Sequence, residues 1–341
     1  MRFKGSRSSD NQERPPAWRL LRWIPWLLGV LLLGGVVAAA LHFSEAQAFV
    51  HLARQAEPGW LLLALILQAA TYLAQGEIWR SVGEAALWPL PLLFTYKLSL
   101  SKLFFDQALP SAGISGTVVL ARALEARGMP RAAVMAGVVV NIASYNAVYV
   151  VSLGAGLLIT LVRHQANPLI EWVSIAFVLY GIAVTFFALA LAGPGAERAG
   201  NQSGRIRLLG TVMRALKDAD TSLSRNPCLL LKASACQLGI VLLDAATIWV
   251  LILSLGIIAS PTGVFASFML SSLFRTVGLL PGGLGTFEAT SVLTLKLAGV
   301  PLAAALSATL LFRGLSFWLP MIPGLWFSRR AADRRPGRLS P

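Results

Sequence analysis

Six long apolar stretches constrain the fold of this chain more than any other feature of its sequence. They cover about residues 23–43, 59–80, 130–161, 169–192, 229–257 and 302–327. A helix needs ~20 apolar residues to cross a bilayer, and these stretches reach that length. The 341-residue chain is 56% hydrophobic and only 13% charged, which fits no soluble domain of this size. The sequence therefore predicts an all-α polytopic membrane protein.

The distribution of basic residues predicts the orientation of the chain. The net charge of +14 is a value typical of nucleic-acid binding. However, 17 of the 29 Lys and Arg residues lie within 1–22, 193–227 and 328–341, beside apolar spans. Such clusters mark cytoplasmic segments and attract anionic lipid headgroups. We therefore expect a bacterial cytoplasmic (inner) membrane protein with both termini cytoplasmic and no nucleic-acid partner.

Two further apolar segments run into helix-breaking residues. Residues 88–106 lead into 109–116, and residues 262–280 lead into 281–288. Irregular backbone survives at membrane depth only where protein or a water-filled cavity satisfies it. We therefore predict two re-entrant hairpins, at 88–128 and 262–299. Their predicted breakers are Pro110, Gly113, Gly116, Pro281, Gly282, Gly283 and Gly285.

A shift of 171 residues relates the two breaker regions as an internal repeat. It aligns Pro110 with Pro281, Gly128 with Gly299 and Pro130 with Pro301. Each half then holds an odd number of full spans, so the repeats are expected to be inverted, a common transporter architecture. Six spans and two hairpins give about eight membrane segments. The alternative of eight plain spans places the basic residues of 193–227 outside.

The repeat also sets the predicted domain boundaries. Residues 1–19 and 329–341 are expected to be basic cytoplasmic tails around a single transmembrane domain, residues 20–328. Repeat 1 covers about 20–162 and repeat 2 about 169–328. The cytoplasmic loop 193–227 lies within repeat 2.

Four ionisable residues inside apolar segments are candidates for a substrate path: Glu288, Arg313, Arg275 and Asp244. Charges at membrane depth are costly and mark functional sites by default. For Glu288 the structural alternative is a cap on the helix after Gly285, where an acidic residue suits the helix dipole. Arg313 has three readings: a partner of Glu288, a ligand for lipid phosphate, or a side chain that snorkels to the interface.

The sequence offers no motif for a cofactor, a metal or a catalytic centre. Cys228 and Cys236 lack metal-ligand spacing, and the three histidines lie apart. No ATP-binding GxxxxGK[ST] motif occurs, and the acidic residues show no catalytic spacing. We therefore expect no cofactor and no enzymatic activity.

The C-terminal motif resembles a known family. Pro281-Gly282-Gly283-Leu284-Gly285-x-x-Glu288, followed by Gly299-Val300-Pro301 and Leu310-Leu311-Phe312-Arg313, is similar to the lysylphosphatidylglycerol synthase transmembrane-region family of flippase-like membrane proteins. In fused members this region moves an aminoacylated phospholipid between leaflets, and a separate soluble domain attaches the amino acid. That synthase domain is expected to be absent here. Some stand-alone relatives are associated with hopanoid biosynthesis and others with envelope glycolipids.

These observations lead to one functional expectation and two alternatives. The resemblance implies a translocator whose partner is a membrane lipid or a lipid-linked headgroup. The alternatives are an intramembrane lipid-headgroup transferase and a non-transporting scaffold of a lipid-biosynthesis complex. Lipid-biosynthesis enzymes are expected partners in the scaffold reading.

Overall fold

The computed structural model describes residues 57–108, 114–162, 219–277 and 283–333, with single positions 175, 179 and 182, and side chains up to residue 327. Within these ranges all regular secondary structure is helical, which confirms that the fold is all-α. The helices are α1 (Pro58–Ala85), α2 (Leu92–Ala108), α3 (Ile114–Glu125), α4 (Arg131–Val162), α5 (Thr221–Ser224), α6 (Pro227–Ser254), α7 (Pro261–Val277), α8 (Thr286–Leu297), α9 (Leu302–Arg313) and α10 (Leu319–Asp333). A π-helical turn, Gly314–Trp318, joins α9 to α10.

Four segments in the described part of the chain are long and apolar enough to cross a membrane. They are Pro58–Ala85, Arg131–Val162, Pro227–Ser254 and Leu302–Phe327. Each coincides with a predicted span. The predicted span 23–43 lies outside the described residues, as does nearly all of 169–192 and the N-terminal tail 1–19. Helix α10 continues to Asp333, into the first positions of the predicted C-terminal tail.

Helix α1 shows the burial pattern of a membrane span. Its apolar side chains Leu62 and Ile66 are 58% and 55% exposed, whereas the polar Gln68 and Thr71 are 3% and 4% exposed. A soluble protein of this size seldom exposes a contiguous apolar face. The helix therefore turns its apolar side toward a lipid environment and its polar side toward the other helices.

Helices α1 and α6, which the 171-residue shift makes equivalent, run antiparallel along their whole length. The Glu57 backbone N–H, at the start of α1, donates to the Ser254 carbonyl at the end of α6 over 3.1 Å. Ten residues further into each helix, Gln68 Nε2 donates to Asp244 Oδ1 over 3.2 Å. The two equivalent helices therefore pass each other in opposite directions at the centre of the fold.

The order of helices recurs along the chain. Helices α1–α4 are followed by α6–α9, and α9 begins at Leu302, 171 residues after the Arg131 at the start of α4. The long last helix of each half packs on the other half: α4 on α7, and α10 on α2. Glycines make both contacts close. A Cβ on Gly156 would lie 3.0 Å from Met269 Cβ, and one on Gly324 would lie 2.6 Å from the Leu100 carbonyl oxygen.

The breaker regions are described only in part. Pro110, Gly113, Pro281 and Gly282 lie outside the described residues. After the second breaker, Gly283 and Gly285 have φ values of 64° and 82°, a left-handed backbone that only glycine adopts without strain. On either side of each breaker the helices pack against each other, α2 on α3 and α7 on α8.

The loop before α6 docks on the start of α4. The Asp220 backbone N–H donates to the Ala132 carbonyl over 3.1 Å. The Asp220 carboxylate caps α5 by accepting from the Ser222 hydroxyl at 2.7 Å and from two backbone N–H groups, and these hydrogen bonds lower the pKa of this carboxyl. Asn226 caps α6 in the same manner. The N-terminal ends of α4 and α6 therefore lie on the same side of the molecule.

Candidate functional site

A polar stripe on α1 faces the interior of the helix bundle. Gln68, Thr71, Tyr72 and Gln75 recur at the three- and four-residue spacing that places side chains on one helix face. Gln75 Nε2 donates to Asn141 Oδ1 of α4, and Gln237 Nε2 of α6 donates to the same oxygen, each over 3.2 Å. A hydrogen-bonded network therefore joins three membrane-length helices at the side of the cavity described next.

A cavity of about 180 Å³ lies beside this stripe. Its lining comes from α1, α2, α6, α7, α9 and the π-helical turn. Gln68 is ten residues from the start of α1, about 15 Å along a helix of about 42 Å. Asp244 is ten residues from the end of the equally long α6. The cavity therefore lies in the middle third of two membrane-length helices. Its charged lining residues are Lys102, Asp106, Asp244, Arg275 and Arg313.

Glu288 and Arg313 form a buried ion pair at one wall of the cavity. Arg313 Nε donates to Glu288 Oε1 over 2.6 Å, and the residues are 4% and 0% exposed. The second carboxylate oxygen, Oε2, accepts from the Gly285 backbone N–H over 2.6 Å. Glu288 therefore combines two of the roles considered from the sequence, because it both caps α8 and pairs with Arg313. The burial of Arg313 contradicts the interfacial, snorkelling reading of that residue.

Two aromatic rings also lie close to the Arg313 guanidinium. Its centre lies 4.5 Å from the Phe317 ring centroid and 5.4 Å from that of Phe287. The π-helical turn begins directly after Arg313, and its Ser316 carbonyl accepts from the Tyr72 hydroxyl over 3.0 Å. Such turns are frequent at functional sites because they reorient a side chain within a helix. The turn therefore ties the Arg313 end of α9 to the polar stripe of α1.

Arg275 enters the cavity from the last turn of α7. The breaker glycine Gly283 packs directly on it, since a Cβ at Gly283 would lie 2.9 Å from Arg275 Cα and closer still to the Arg275 side chain. Only glycine fits there. The second breaker therefore contributes to the site by allowing the chain to turn against Arg275.

Asp244 lines the same cavity as Arg275, from α6. Its Oδ1 accepts from Gln68 Nε2, so its partner comes from a different helix, although its sequence neighbours are apolar. Asp244 and Arg275 are near enough for their charges to interact, yet they do not form an ion pair. The two side chains therefore place opposite charges at two points of the cavity wall.

A second ion pair lines the cavity at the first breaker. Lys102 Nζ lies 2.6 Å from Asp106 Oδ2, and Asp106 Oδ1 accepts from the Gly116 backbone N–H over 2.9 Å. Gly116 packs so closely that a Cβ would collide with both Asp106 and the Lys102 carbonyl. The described breaker glycines Gly116 and Gly283 thus both lie against charged residues of the cavity.

The structure brings the four predicted site residues together. Asp244, Arg275 and Arg313 line one cavity, and Glu288 lies directly behind Arg313. Sequence reasoning left out the Lys102–Asp106 pair and the polar stripe of α1 as parts of this site. The signal for the stripe was present, because Gln68, Thr71 and Gln75 share one face of a mostly apolar span.

Apolar membrane-length helices around a charged cavity define a multi-pass helical membrane protein. Residues 26–324, most of the chain, match the family described as lysylphosphatidylglycerol synthase TM region. The chain belongs to this family, which confirms the resemblance seen in the sequence.

A curated archaeal protein shows similarity over part of the chain. The UPF0104 membrane protein MJ1595 of Methanocaldococcus jannaschii is 30% identical over 98 residues. The aligned segment covers 28% of this chain and 29% of the archaeal protein. This relative is likewise described as a membrane protein, which agrees with the class defined by the fold.

Proposed function

We propose that the protein moves an amphipathic lipid, or a lipid-linked headgroup, between the leaflets of a bacterial cytoplasmic membrane. The observation that carries the proposal is the charged cavity in the middle third of α1 and α6. Five charged side chains line it, at a depth where charges are costly and mark substrate pathways. The headgroup occupies this cavity while the apolar tails remain in lipid.

The proposed architecture is an inverted repeat of about eight membrane segments with two re-entrant hairpins. The antiparallel course of α1 and α6 supports inversion, because these helices are equivalent under the 171-residue shift. The reciprocal packing of α4 on α7 and of α10 on α2 agrees with it. In inverted-repeat transporters one repeat rocks against the other and exposes a central site to each side in turn. The cavity lies between elements of both halves, as that motion requires.

The orientation of the chain follows from its basic segments. In the proposed topology both termini and loop 193–227 are cytoplasmic, and the basic termini bind anionic headgroups there. The hydrogen bond from Asp220 to Ala132 supports this orientation for α4, because it joins the end of the loop to the start of that helix. Helix α1 then begins at the opposite face, because Glu57 lies at the far end of α6.

Transport is tested by closing the cavity without removing a charge. Ile240 lines the cavity on α6, whereas Leu242, two residues later, is 49% exposed on the outer surface. We expect Ile240→Trp in proteoliposomes to slow the leaflet transfer of acyl-labelled phospholipids at least tenfold. Leu242→Trp adds the same ring to the same helix and is the matched control. Size-exclusion profiles verify that both variants fold.

The same assay separates the two alternatives. Mass spectrometry of the recovered lipid detects a changed headgroup, which would identify a transferase instead of a translocator. Unchanged lipid with no protein-dependent transfer for any headgroup would contradict translocation and favour the scaffold.

A further inference from the structure

Some of the charged side chains that line the cavity form ion pairs, and others do not. Lys102 is paired with Asp106, and Arg313 is paired with Glu288, both at 2.6 Å. Two lining charges remain. Within the described ranges, no carboxylate forms an ion pair with Arg275, and no cation forms one with Asp244. The cavity therefore presents one cation and one carboxylate whose charges are not neutralised by direct contact.

The two remaining charges are held apart by the fold. Gly283 packs on the backbone and side chain of Arg275, which fixes the end of α7. The Gln68 amide on α1 holds the Asp244 carboxylate. Neither support is itself charged. The separation therefore belongs to the architecture of the site and leaves both charges facing the cavity.

A ligand with charges of both signs satisfies this arrangement better than a ligand of one sign. A guanidinium binds phosphate through two parallel hydrogen bonds. A carboxylate accepts hydrogen bonds from an ammonium group. An anionic headgroup would bind Arg275 but would be repelled by Asp244. A purely cationic headgroup would bind Asp244 but would be repelled by Arg275. The cavity is complementary to a zwitterion.

The size of the cavity limits which part of a lipid enters. A volume of about 180 Å³ exceeds the ~10–15 Å³ that holds one water molecule by an order of magnitude. It is below the ~300–1,000 Å³ of pockets that enclose a drug-sized ligand. A small headgroup fits, and a whole lipid or a long glycan does not.

We propose that the cavity binds a zwitterionic lipid headgroup of the phosphoethanolamine type, with its phosphate at Arg275 and its ammonium at Asp244. This inference names the substrate class of the cavity and rests on the proposed lipid transport for its physiological role. The neighbouring Gln68 and Tyr72 supply further hydrogen-bonding groups at the same wall.

Binding is measured first, without transport, on the purified full-length protein in detergent. The probes are soluble glycerophosphoethanolamine, glycerophosphoglycerol, which lacks the ammonium, and N-acetyl-glycerophosphoethanolamine, in which the ammonium is neutralised. We expect the zwitterion to raise the unfolding temperature and to bind at least tenfold more tightly than either anionic probe. Equal binding of the three probes, or binding of none, would overturn the inference. This comparison changes the ligand and needs no variant to fold.

Variants then assign the two charges. Asp244→Asn keeps the side-chain shape, and we expect it to remove the preference for the zwitterion while anionic probes bind as well as before or better. Arg275→Gln should weaken all three phosphate-bearing probes at least tenfold. Arg80→Gln is the control, because Arg80 is a half-exposed residue paired with Glu77 away from the cavity. Retention of the preference by Asp244→Asn would overturn the placement of the ammonium.

Leaflet transfer of acyl-labelled phosphatidylethanolamine and phosphatidylglycerol distinguishes this inference from the proposed function. Transfer of the zwitterionic lipid at least tenfold faster supports both proposals. Equal transfer of both lipids would contradict the headgroup preference and leave transport intact. Selective binding of the soluble zwitterion without transfer of any lipid would contradict transport and leave the binding site intact.

Discussion

Asp106 and Glu288 secure the helices that follow the two breakers in the same way. Asp106 Oδ1 accepts from the Gly116 N–H over 2.9 Å, and Glu288 Oε2 accepts from the Gly285 N–H over 2.6 Å. Each carboxylate also binds a cation that lines the cavity, Lys102 or Arg313, at 2.6 Å. Asp106 precedes its breaker and Glu288 follows its own, so the two halves reach this arrangement from different sequence positions.

The buried pair predicts a large loss of stability for Glu288→Gln. Removing one partner of a buried ion pair leaves an uncompensated charge and costs about 3–5 kcal/mol. Glutamine retains a carbonyl oxygen for the Gly285 N–H, so the variant tests the charge and not the cap. Glu77→Gln is the control, because the Arg80–Glu77 pair has side chains 40% and 32% exposed and should contribute at most about 1 kcal/mol. Unfolding free energies are measured in mixed detergent micelles. Equal losses in the two variants would contradict the buried pair.

Asp106→Asn should be milder than Glu288→Gln. The Lys102 and Asp106 side chains are 21% and 18% exposed, against 5% and 1% for Arg313 and Glu288. Partial hydration stabilises the charge that remains, so we expect the loss in unfolding free energy to be less than half of that for Glu288→Gln. The same detergent titration measures both variants. A larger loss in unfolding free energy for Asp106→Asn than for Glu288→Gln would contradict this prediction. It would show that the first breaker depends more on its ion pair than the second breaker does.

The helices and several site residues could be predicted from the sequence. Apolar stretches of membrane length located α1, α4, α6 and the Leu302–Phe327 segment, because hydrocarbon admits few alternatives to a helix. The same logic identified Asp244, Arg275, Glu288 and Arg313, since charges at that depth are rare. The hydrogen bond from Arg80 to Glu77 likewise joins residues three positions apart, a spacing that places them on one helix face.

Other parts of the site depend on tertiary contacts that no local pattern contains. Gln68 meets Asp244 only because α1 and α6 cross antiparallel with a particular register. The π-helical turn after Arg313 contains Gly314 as its one helix-breaking residue. The turn is also held by a contact outside its own sequence, the hydrogen bond from Tyr72 of α1. The position of Arg275 depends on a glycine eight residues later that folds back on it.

The close contact between α10 and α2 predicts a cost for Gly324→Ala. The added Cβ would lie 2.6 Å from the Leu100 carbonyl oxygen, a backbone atom that cannot rotate away. Gly239→Ala is the matched control, because a Cβ there meets nothing within 4 Å. Both changes improve helix propensity by about 1 kcal/mol, so their difference reports the clash. We expect Gly324→Ala to be less stable than the control by about 1–3 kcal/mol. Equal stability would contradict the close packing.

The cap at Asp220 predicts a pH dependence in the loop before α6. The Ser222 hydroxyl and two backbone N–H groups lower the pKa of this carboxyl in the folded protein. Its stabilising contribution is therefore complete above the unfolded-state pKa of about 3.9 and is lost as the pH falls through the lower folded-state pKa. Asp220→Asn keeps an acceptor for the cap but does not titrate. From pH 5 to 7, which begins ~1 unit above the unfolded-state pKa, the carboxyl is ionised in both states. The difference in unfolding temperature between wild type and variant should therefore be constant over this range and should decrease at lower pH. If the difference in unfolding temperature stayed constant down to pH 2–3, roughly one to two units below the unfolded-state pKa, the lowered pKa of Asp220 would be contradicted.

The antiparallel course of α1 and α6 predicts that cysteines at the starts of these two helices are accessible from opposite sides of the membrane. Cys228 is exposed at the start of α6, and Glu57 is exposed at the start of α1, beside the far end of α6. With Cys236→Ala as background, Cys228 alone should react with a membrane-impermeant maleimide only in inverted vesicles. Glu57→Cys combined with Cys228→Ala should react only from the outer face of right-side-out cells. The Glu57→Cys/Cys228→Ser version serves as a second check on the replacement of Cys228. Labelling of both positions from one side would contradict the inverted repeat, because equivalent helices of opposite direction must start at opposite faces.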